Sequence, residues 1–192
     1  MKALTVYCGS STSLNSMFHN TTIEVGKLIA QNKLKLVYGG GSIGLMGTVA
    51  KTVSQHGSTV LGIITEKFVE LEQANYDCDE LVIVKTMQER RSKMIDEGDG
   101  FLMLPGGIGT YEEFFEVLVG RQINDHIKPI AILNIDGYFD PLINMLNHGI
   151  DCGFMRSALK KLMYINSDVH QIFEYLINNK IYQPSPEEIL PM

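Results

Sequence analysis

The chain has 192 residues, of which 45% are hydrophobic and 20% charged, and its formal net charge at pH 7 is -6. This composition predicts a globular protein with a substantial core and argues against intrinsic disorder. The net negative charge argues against a DNA or RNA partner, because binding to such a polyanion needs a basic surface. We also expect no membrane segment and no signal peptide, because no apolar run is long enough and no cleavage-site pattern follows Met1.

The cysteine and histidine patterns give further limits. Cys8, Cys78 and Cys152 are odd in number and far apart, which predicts reduced thiols in a cytoplasmic protein rather than a disulfide framework or a zinc knuckle. The histidines show no metal-binding spacing. We therefore assign neither a metal nor another cofactor.

Short apolar runs alternate along the chain with segments of helical hydrophobic spacing. The predicted elements, in chain order, are strand 3–7, helix 16–31, strand 34–38, helix 45–54, strand 59–64, strand 81–84, helix 86–97, strand 101–104, helix 110–121, strand 129–135, helix 141–150, strand 162–165 and helix 169–178. The strands are apolar throughout, which is typical of a parallel sheet covered by helices on both faces. We predict a single Rossmann-like α/β domain over 1–182 and an extended tail over 183–192.

Three loops of this predicted sheet are rich in glycine, serine or threonine, namely those after the first, second and fifth strands. Ligands of such folds bind outside the carboxyl ends of the strands. We therefore expect the three loops to line one crevice. Segment 65–79 has no clean period and is predicted to be an irregular loop near it.

The segment 105–113, which reads P-G-G-I-G-T-Y-E-E, carries the strongest chemical signal. Its glycines allow a ligand to approach the backbone, and the start of the following helix favours phosphate. Glu113 places a carboxylate one turn into that helix. Thr110 and Glu113 also have the spacing of a capping box, which would explain both residues structurally. The glycines favour a ligand site over this second interpretation.

A second glycine loop has two interpretations. Gly39, Gly41 and Gly44 match the G-x-G-x-x-G pattern of dinucleotide-binding proteins, as in an NAD-dependent oxidoreductase. The pattern follows the second strand, however, and the candidate acid, Glu66, lies among turn residues. A tight turn that needs small residues for packing is the other interpretation, and two further glycines nearby favour it or a close approach of substrate.

The predicted helix 86–97 begins with a capping box formed by Thr86 and Glu89. Arg90 and Arg91 follow, and they flank the apolar stripe of the helix. At least one of them is therefore expected at the edge of the buried face. There it is either a surface residue that covers apolar area or a fixed guanidinium that reaches into the crevice.

Several segments together resemble the LONELY GUY (LOG) family, which comprises cytokinin riboside 5′-monophosphate phosphoribohydrolases formerly labelled lysine decarboxylases. The segment 105–113 matches the family motif P-G-G-x-G-T-x-x-E, and 87–91 is similar to its M-H-x-R-K segment, with Gln88 and Arg91 as departures. Further similar segments are 8–11, 38–47, 128–129, 133–139 and 153–154. The resemblance covers roughly 2–154.

The resemblance implies hydrolysis of AMP or N6-substituted adenosine monophosphates to free base and ribose 5-phosphate. It implies Arg90 and Glu113 as catalytic residues. The implied substrate-binding residues are Ser10, Gly41, Met87, Arg91, Gly106, Gly107, Gly109 and Thr110. A non-catalytic nucleotide-binding protein of the same fold is the alternative. Lysine decarboxylation is disfavoured, because no signature of a pyridoxal phosphate lysine is evident.

Three further expectations follow from the resemblance. It implies a homodimer, for which Phe114, Phe115 and Leu118 are candidate partner-facing residues, although core packing explains them better. Val119-Gly120 stands where the family has threonine and tryptophan, so a hydroxyl contact near the base or phosphate is expected to be missing. The acids Glu66, Glu70 and Glu72 match no family motif, and we interpret them as solvated loop charge.

Overall fold

The computed structural model describes residues 1–70, 73–178, 182–185 and 188. The strands are β1 (Ala3–Tyr7), β2 (Lys35–Tyr38), β3 (Val60–Thr65), β4 (Glu80–Val84), β5 (Phe101–Met103), β6 (Ile130–Leu133) and β7 (Tyr164–Asn166). The helices are α1 (Ser16–Gln31), α2 (Gly44–Gln55), α3 (Glu66–Glu70), α4 (Met87–Glu97), α5 (Ile108–Gln122), α6 (Asp140–Asp151) and α7 (Val169–Asn178). Short 3-10 helices cover Ile135–Gly137 and Ser157–Lys161.

The strands form one sheet in the order β4-β3-β2-β1-β5-β6-β7, and all neighbouring pairs are parallel. The predicted parallel α/β architecture is therefore confirmed. Side chains of β1 alternate between two cores, since Leu4 and Val6 belong to one and Ala3 and Tyr7 to the other. Helices α1, α2 and α7 cover the first core, and α4, α5 and α6 cover the second.

The predicted elements agree with the structure at most positions. The bounds of β1, α1 and α7 are those predicted. The prediction of an irregular loop over 65–79 was wrong in part, because residue 65 ends β3 and α3 follows directly. The predicted strand 129–135 was too long, because β6 spans Ile130–Leu133 and a 3-10 helix follows over Ile135–Gly137, in which Asp136 takes a left-handed φ of 51°.

The predicted tail has neither helix nor strand at residues 183–185, whereas residue 188 is helical. The rest of the predicted tail, 186–187 and 189–192, lies outside the described residues, as do residues 179–181 before the predicted boundary. Within the described part of the chain, no helix has both the length and the hydrophobicity needed to cross a membrane.

The topology brings two distant loops together beside β1. This strand lies between β2 and β5, so the loops that follow β1 and β5 begin at adjacent strand ends. Sheets of this kind bind ligands at such a position. The N–H of Gly9 donates to the carbonyl of Pro105 at 3.0 Å. This hydrogen bond fixes the two loops against each other at the carboxyl edge of the sheet.

Candidate active site

A crevice of about 200 Å³ lies at this edge of the sheet. Its walls come from the loops after β1, β2, β3 and β5 and from helices α2, α4 and α5. It brings together eight of the predicted site residues: Ser10, Gly41, Met87, Arg90, Gly107, Gly109, Thr110 and Glu113. The other two predicted residues, Arg91 and Gly106, do not line it.

An ion pair between Arg90 and Glu113 occupies one wall of the crevice. The Nη1 of Arg90 donates to Oε1 of Glu113 at 2.8 Å, and the two residues are only 8% and 7% exposed. The Nε of Arg90 donates to the carbonyl of Ile63 at 2.9 Å, and Nη2 donates to that of Gly39 at 3.3 Å. These partners compensate the burial of the charge and hold the guanidinium in one orientation.

Gly39 is required by this arrangement. A Cβ added at this position would collide with Nη2 of Arg90 and would lie 3.0 Å from Sδ of Met46. The first glycine of the second glycine loop therefore leaves room for the arginine side chain. Packing against Arg90 and Met46 therefore explains the glycine at this position.

Burial raises the pKa of Glu113, and the positive charge of Arg90 acts in the opposite direction. The carboxylate reaches Arg90 rather than the N-terminus of its own helix. The alternative interpretation of Thr110 and Glu113 as a capping box is therefore wrong, because Gly107 is the N-cap of α5 and Thr110 lies inside the first turn. The predicted box at Thr86 and Glu89 is confirmed.

The start of α5 presents unpaired backbone donors. No side chain caps the helix at Gly107, and within the described residues the N–H groups of Gly107, Ile108 and Gly109 have no hydrogen-bond acceptor. A Cβ at Gly107 or Gly109 would meet no atom within 4 Å. Gly107 and Gly109 line the crevice, and the partial positive charge at the start of the helix suits an anion such as phosphate.

The start of α2 differs, because a backbone carbonyl already fills it. The amides of Leu45 and Met46 donate to the carbonyl of Gly9 at 3.0 and 3.3 Å. Gly44 has a φ of +61°, and a Cβ there would lie 2.5 Å from the backbone of Ser10. These contacts favour the packing interpretation of the second glycine loop over dinucleotide binding, since a pyrophosphate would compete with the Gly9 carbonyl.

Arg91 and Gly106 serve other contacts. Arg91 forms ion pairs with Glu112 at 2.9 Å and with Glu116 at 2.6 Å, which join α4 to α5 outside the crevice. Gly106 lines a neighbouring cavity, where its carbonyl accepts a hydrogen bond from the Tyr138 hydroxyl at 2.6 Å. Their predicted roles in binding substrate are not supported by these positions.

The crevice also contains residues that sequence reasoning missed, among them Met46, Ile64, Phe68 and Gln73. Segment 73–75 lies against the second glycine loop, because the N–H of Ser42 donates to Gln73 and that of Asn75 to Gly40. Phe68 and Gln73 lie in segment 65–79, which was predicted to lie near the crevice, but the segment has no hydrophobic period that would single out these two residues. Of the acids set aside, Glu66 is exposed, Glu72 lies outside the described residues, and the side chain of Glu70 is not described.

Val119 lies away from the crevice. It is 51% exposed and lines a different cavity, together with Phe154. Gly120 is next to it on α5. Within one chain, the departure from the family pattern at Val119-Gly120 therefore removes no contact in this crevice.

Comparisons with known proteins bear on the family and the fold of this chain. Residues 46–176 match a family model described as "Possible lysine decarboxylase". A cytokinin riboside 5′-monophosphate phosphoribohydrolase of Rhodococcoides fascians is 38% identical over 169 residues, which cover 88% of this chain and 85% of the relative. The Arabidopsis thaliana enzyme LOG2, which has the same name, is 34% identical over 91% of this chain and 82% of its own length.

This chain belongs to the LOG family. Among solved structures, a molybdenum cofactor binding protein from Rippkaea orientalis superposes with a TM-score of 0.69 at 18% identity, covering 92% of this chain and 96% of that chain. At that level of identity the similarity concerns the fold alone. The fold of this LOG chain is thus shared with a protein whose name indicates a different ligand.

The description "lysine decarboxylase" does not fit the crevice of this LOG chain. Pyridoxal phosphate, which such chemistry commonly uses, is held through a Schiff base to a lysine. Among the described residues, no lysine lines the crevice. In the same part of the chain, no group of three or more His, Cys, Asp or Glu residues is arranged to hold a metal ion.

Proposed function

We propose that this LOG-family chain hydrolyses the N-glycosidic bond of adenosine 5′-monophosphates, including N6-substituted ones, to free base and ribose 5-phosphate. One observation carries the proposal: the buried Arg90–Glu113 pair shares a crevice with the unpaired amides at the start of α5. The reaction requires a binding site for the phosphate of the substrate and a carboxylate that acts on its sugar. The names of the relatives support the same reaction.

The 5′-phosphate is placed at the start of α5, against the N–H groups of Gly107, Ile108 and Gly109. Among the described residues these donors lack acceptors, and a bound phosphate would satisfy them while the helix dipole stabilises its charge. Binding energy at this remote group positions the ribose next to Glu113. The base then lies towards the wall that contains Gly41, Met87 and the apolar residues near them.

Glu113 is proposed to act at the anomeric carbon. Breaking the bond between C1′ and the base nitrogen gives a cation-like sugar transition state, as in glycoside hydrolysis. A carboxylate next to it stabilises the developing positive charge and orients the attacking water or takes its proton. The water oxygen forms the new bond to C1′, and the base leaves with the electron pair of the broken bond. The proton that the water loses ends on the base nitrogen, so that the products are the neutral base and ribose 5-phosphate.

Arg90 is proposed to act through its fixed charge. A guanidinium carries a fixed positive charge, so this residue stabilises negative charge rather than transferring a proton. Its charge opposes the rise that burial causes in the pKa of Glu113, and the 2.8 Å contact holds the carboxylate in place. The same charge attracts the phosphate or the departing base.

The test compares the wild-type protein with Glu113→Gln, using AMP and isopentenyladenosine monophosphate and scoring free base by chromatography. We expect base release by the wild type and a loss of about 100-fold or more in kcat for the variant, with nucleotide binding retained. The alternative, a non-catalytic nucleotide-binding protein, predicts binding by both proteins and base release by neither. That result would exclude the enzyme.

We further propose a homodimer. Phe154 is 90% exposed and Val119 is 51% exposed, beside a cavity of about 480 Å³ that Phe115 and Leu118 also line. Exposed aromatic and aliphatic groups of this kind are typical of interfaces. Phe114 is fully buried and packs in the core, so it is excluded as a partner-facing residue. Light scattering of the wild type and of Phe154→Ser tests this, and a wild-type monomer would refute it.

We also propose a cytoplasmic location. Cys8, Cys78 and Cys152 are free thiols. Reduced cysteines are the rule in that compartment. Fractionation of cells that express the tagged chain is the direct measurement.

A further inference from the structure

The hydroxyl of Tyr138 contacts the loop that leads into α5. It donates to the carbonyl oxygen of Gly106 at 2.6 Å. The ring packs edge-on against Phe139, with centroids 4.9 Å apart, and against Phe18 at 6.1 Å. Tyr138 also follows Asp136 and Gly137, which have φ values of 51° and 70°. Backbone turn and ring packing together place this hydroxyl.

The carbonyl that Tyr138 binds belongs to the same peptide group as the N–H of Gly107. In a planar trans peptide, the C=O and N–H bonds point in opposite directions. Tyr138 does not line the crevice and lies in the adjacent cavity of about 420 Å³, together with Leu14 and Phe18. Gly107 lines both this cavity and the crevice, and holding the oxygen towards Tyr138 turns its N–H away from Tyr138.

This peptide group needs such a restraint. It joins two glycines, which lack the Cβ that limits backbone rotation in other residues. The preceding carbonyl, that of Pro105, is fixed by the N–H of Gly9 at 3.0 Å. Among the described residues, the Tyr138 hydroxyl is the only hydrogen-bond partner of the Gly106–Gly107 peptide.

A side chain at Gly106 would not serve the same purpose. A Cβ there would collide with Oγ1 of Thr110 and would lie 2.8 Å from the amide nitrogen of Gly9. The close approach of the β1 and β5 loops thus requires glycine at this position. The orientation of the peptide must be set from outside the loop.

We propose that Tyr138 is a positioning residue for the reaction proposed above, because it orients the Gly106–Gly107 peptide so that the Gly107 N–H faces the substrate phosphate. The inference rests on the proposed function for the identity of that anion. Tyr138 itself contacts neither the phosphate nor the reacting atoms. Its contribution is one correctly aimed donor at the start of α5.

The test is Tyr138→Phe, which keeps the ring and its packing and removes only the hydroxyl. The two reaction products serve as separate probes in inhibition assays with AMP. We expect the inhibition constant of ribose 5-phosphate to rise about tenfold, the size of effect given by one lost hydrogen bond, while that of adenine stays within a factor of two. KM for AMP rises similarly, and kcat changes less.

Tyr164→Phe is the matched control. The Tyr164 hydroxyl accepts a hydrogen bond from Asn166 on β7, at the far edge of the sheet, so its removal leaves both inhibition constants unchanged. Equal changes for ribose 5-phosphate and adenine in Tyr138→Phe would indicate general loosening and would overturn the inference. Unchanged constants would overturn it as well.

A second measurement uses the wild-type protein, so it does not depend on the folding of a variant. In a sample labelled with ¹⁵N-glycine, titration with ribose 5-phosphate shifts the amide proton of Gly107 downfield if that group donates to the phosphate. An unshifted Gly107 signal at saturation contradicts the inference. If the wild type releases no base from any nucleotide, the proposed function fails, and this titration still decides the role of the peptide.

Discussion

Arg90 and Glu113 are 23 positions apart in the sequence, yet their side chains form a buried 2.8 Å ion pair. Arg90 comes from α4 and Glu113 from α5, and both helices pack on the same face of the sheet. The pair places a fixed positive charge against a carboxylate whose pKa is raised by burial. A change in the burial of Glu113 or in the charge of Arg90 would therefore shift the pKa of the carboxylate.

The first prediction concerns pH. Because burial raises the pKa of Glu113, activity that needs its carboxylate should fall on the acid side at a higher pH than an ordinary glutamate would give. Arg90→Gln removes the opposing charge and should move this acid limb to still higher pH. Profiles of kcat/KM against pH for the wild type and Arg90→Gln provide the measurement. An acid limb that moves down or stays in place contradicts the assignment.

The same pKa shift predicts a trend in stability. The folded protein holds the Glu113 proton more strongly than the unfolded chain does, so the free energy of unfolding should decrease as pH rises from the usual glutamate range, about 4.3, through the raised value. Urea unfolding at several pH values measures this slope. In Glu113→Gln the contribution of this residue to the slope should vanish.

The second prediction concerns Gly39→Ala. Its Cβ would collide with Nη2 of Arg90, so the guanidinium must move away from Glu113. We expect a loss of activity of at least tenfold together with lower stability, because the glutamate loses part of its compensation. Enzyme assays and urea unfolding report the two effects. Normal activity would show that the position of Arg90 is not needed.

The third prediction separates stability from function at Gly109. A Cβ there meets no atom within 4 Å, and alanine favours helix over glycine by up to about 1 kcal/mol. Gly109→Ala should therefore be as stable as the wild type or more stable. The methyl group should nevertheless enter the space proposed for phosphate and raise KM for AMP. A stable variant with unchanged KM would place the phosphate elsewhere.

The fourth prediction concerns Arg91, which the sequence placed in the site. Its ion pairs with Glu112 and Glu116 are partly exposed, so each is worth about 0.2–1 kcal/mol. Arg91→Ala should slightly lower the free energy of unfolding and leave kcat/KM within about threefold of wild type. A loss comparable to that of an Arg90 variant would restore Arg91 to the substrate site.

The sequence predicted the sheet well because its strands are short, apolar and separated by clear loops. It also identified most of the crevice, since loops after parallel strands meet at one edge. It did not decide between Arg90 and Arg91, because adjacent residues on a helix differ by about 100° in direction and both flank the apolar stripe. The packing of α4 against β3 and α5 places Arg90 in the crevice and Arg91 outside it.

The sequence left the contacts of other site residues undecided. Thr110 and Glu113 satisfied the spacing of a capping box, but the helix starts earlier, at a glycine N-cap, and Arg90 takes the carboxylate. Phe68 and Gln73 come from a stretch without period. The sequence showed Tyr138 only as part of segment 133–139, which is similar to the LOG family. Its contact with Gly106 could not be predicted, because it joins loops that follow two different strands.

The hydrogen bond between Gly9 and Pro105 also bears on how the protein is made. β1 is buried along its whole length, and its neighbour β5 is synthesised in the second half of the chain. A nascent chain that ends before β5 therefore exposes an apolar strand edge, which is a template for aggregation. No nucleotide can protect that intermediate, because the crevice does not exist until β5 is in place. We expect ribosome-bound fragments that end before residue 101 to depend on chaperones.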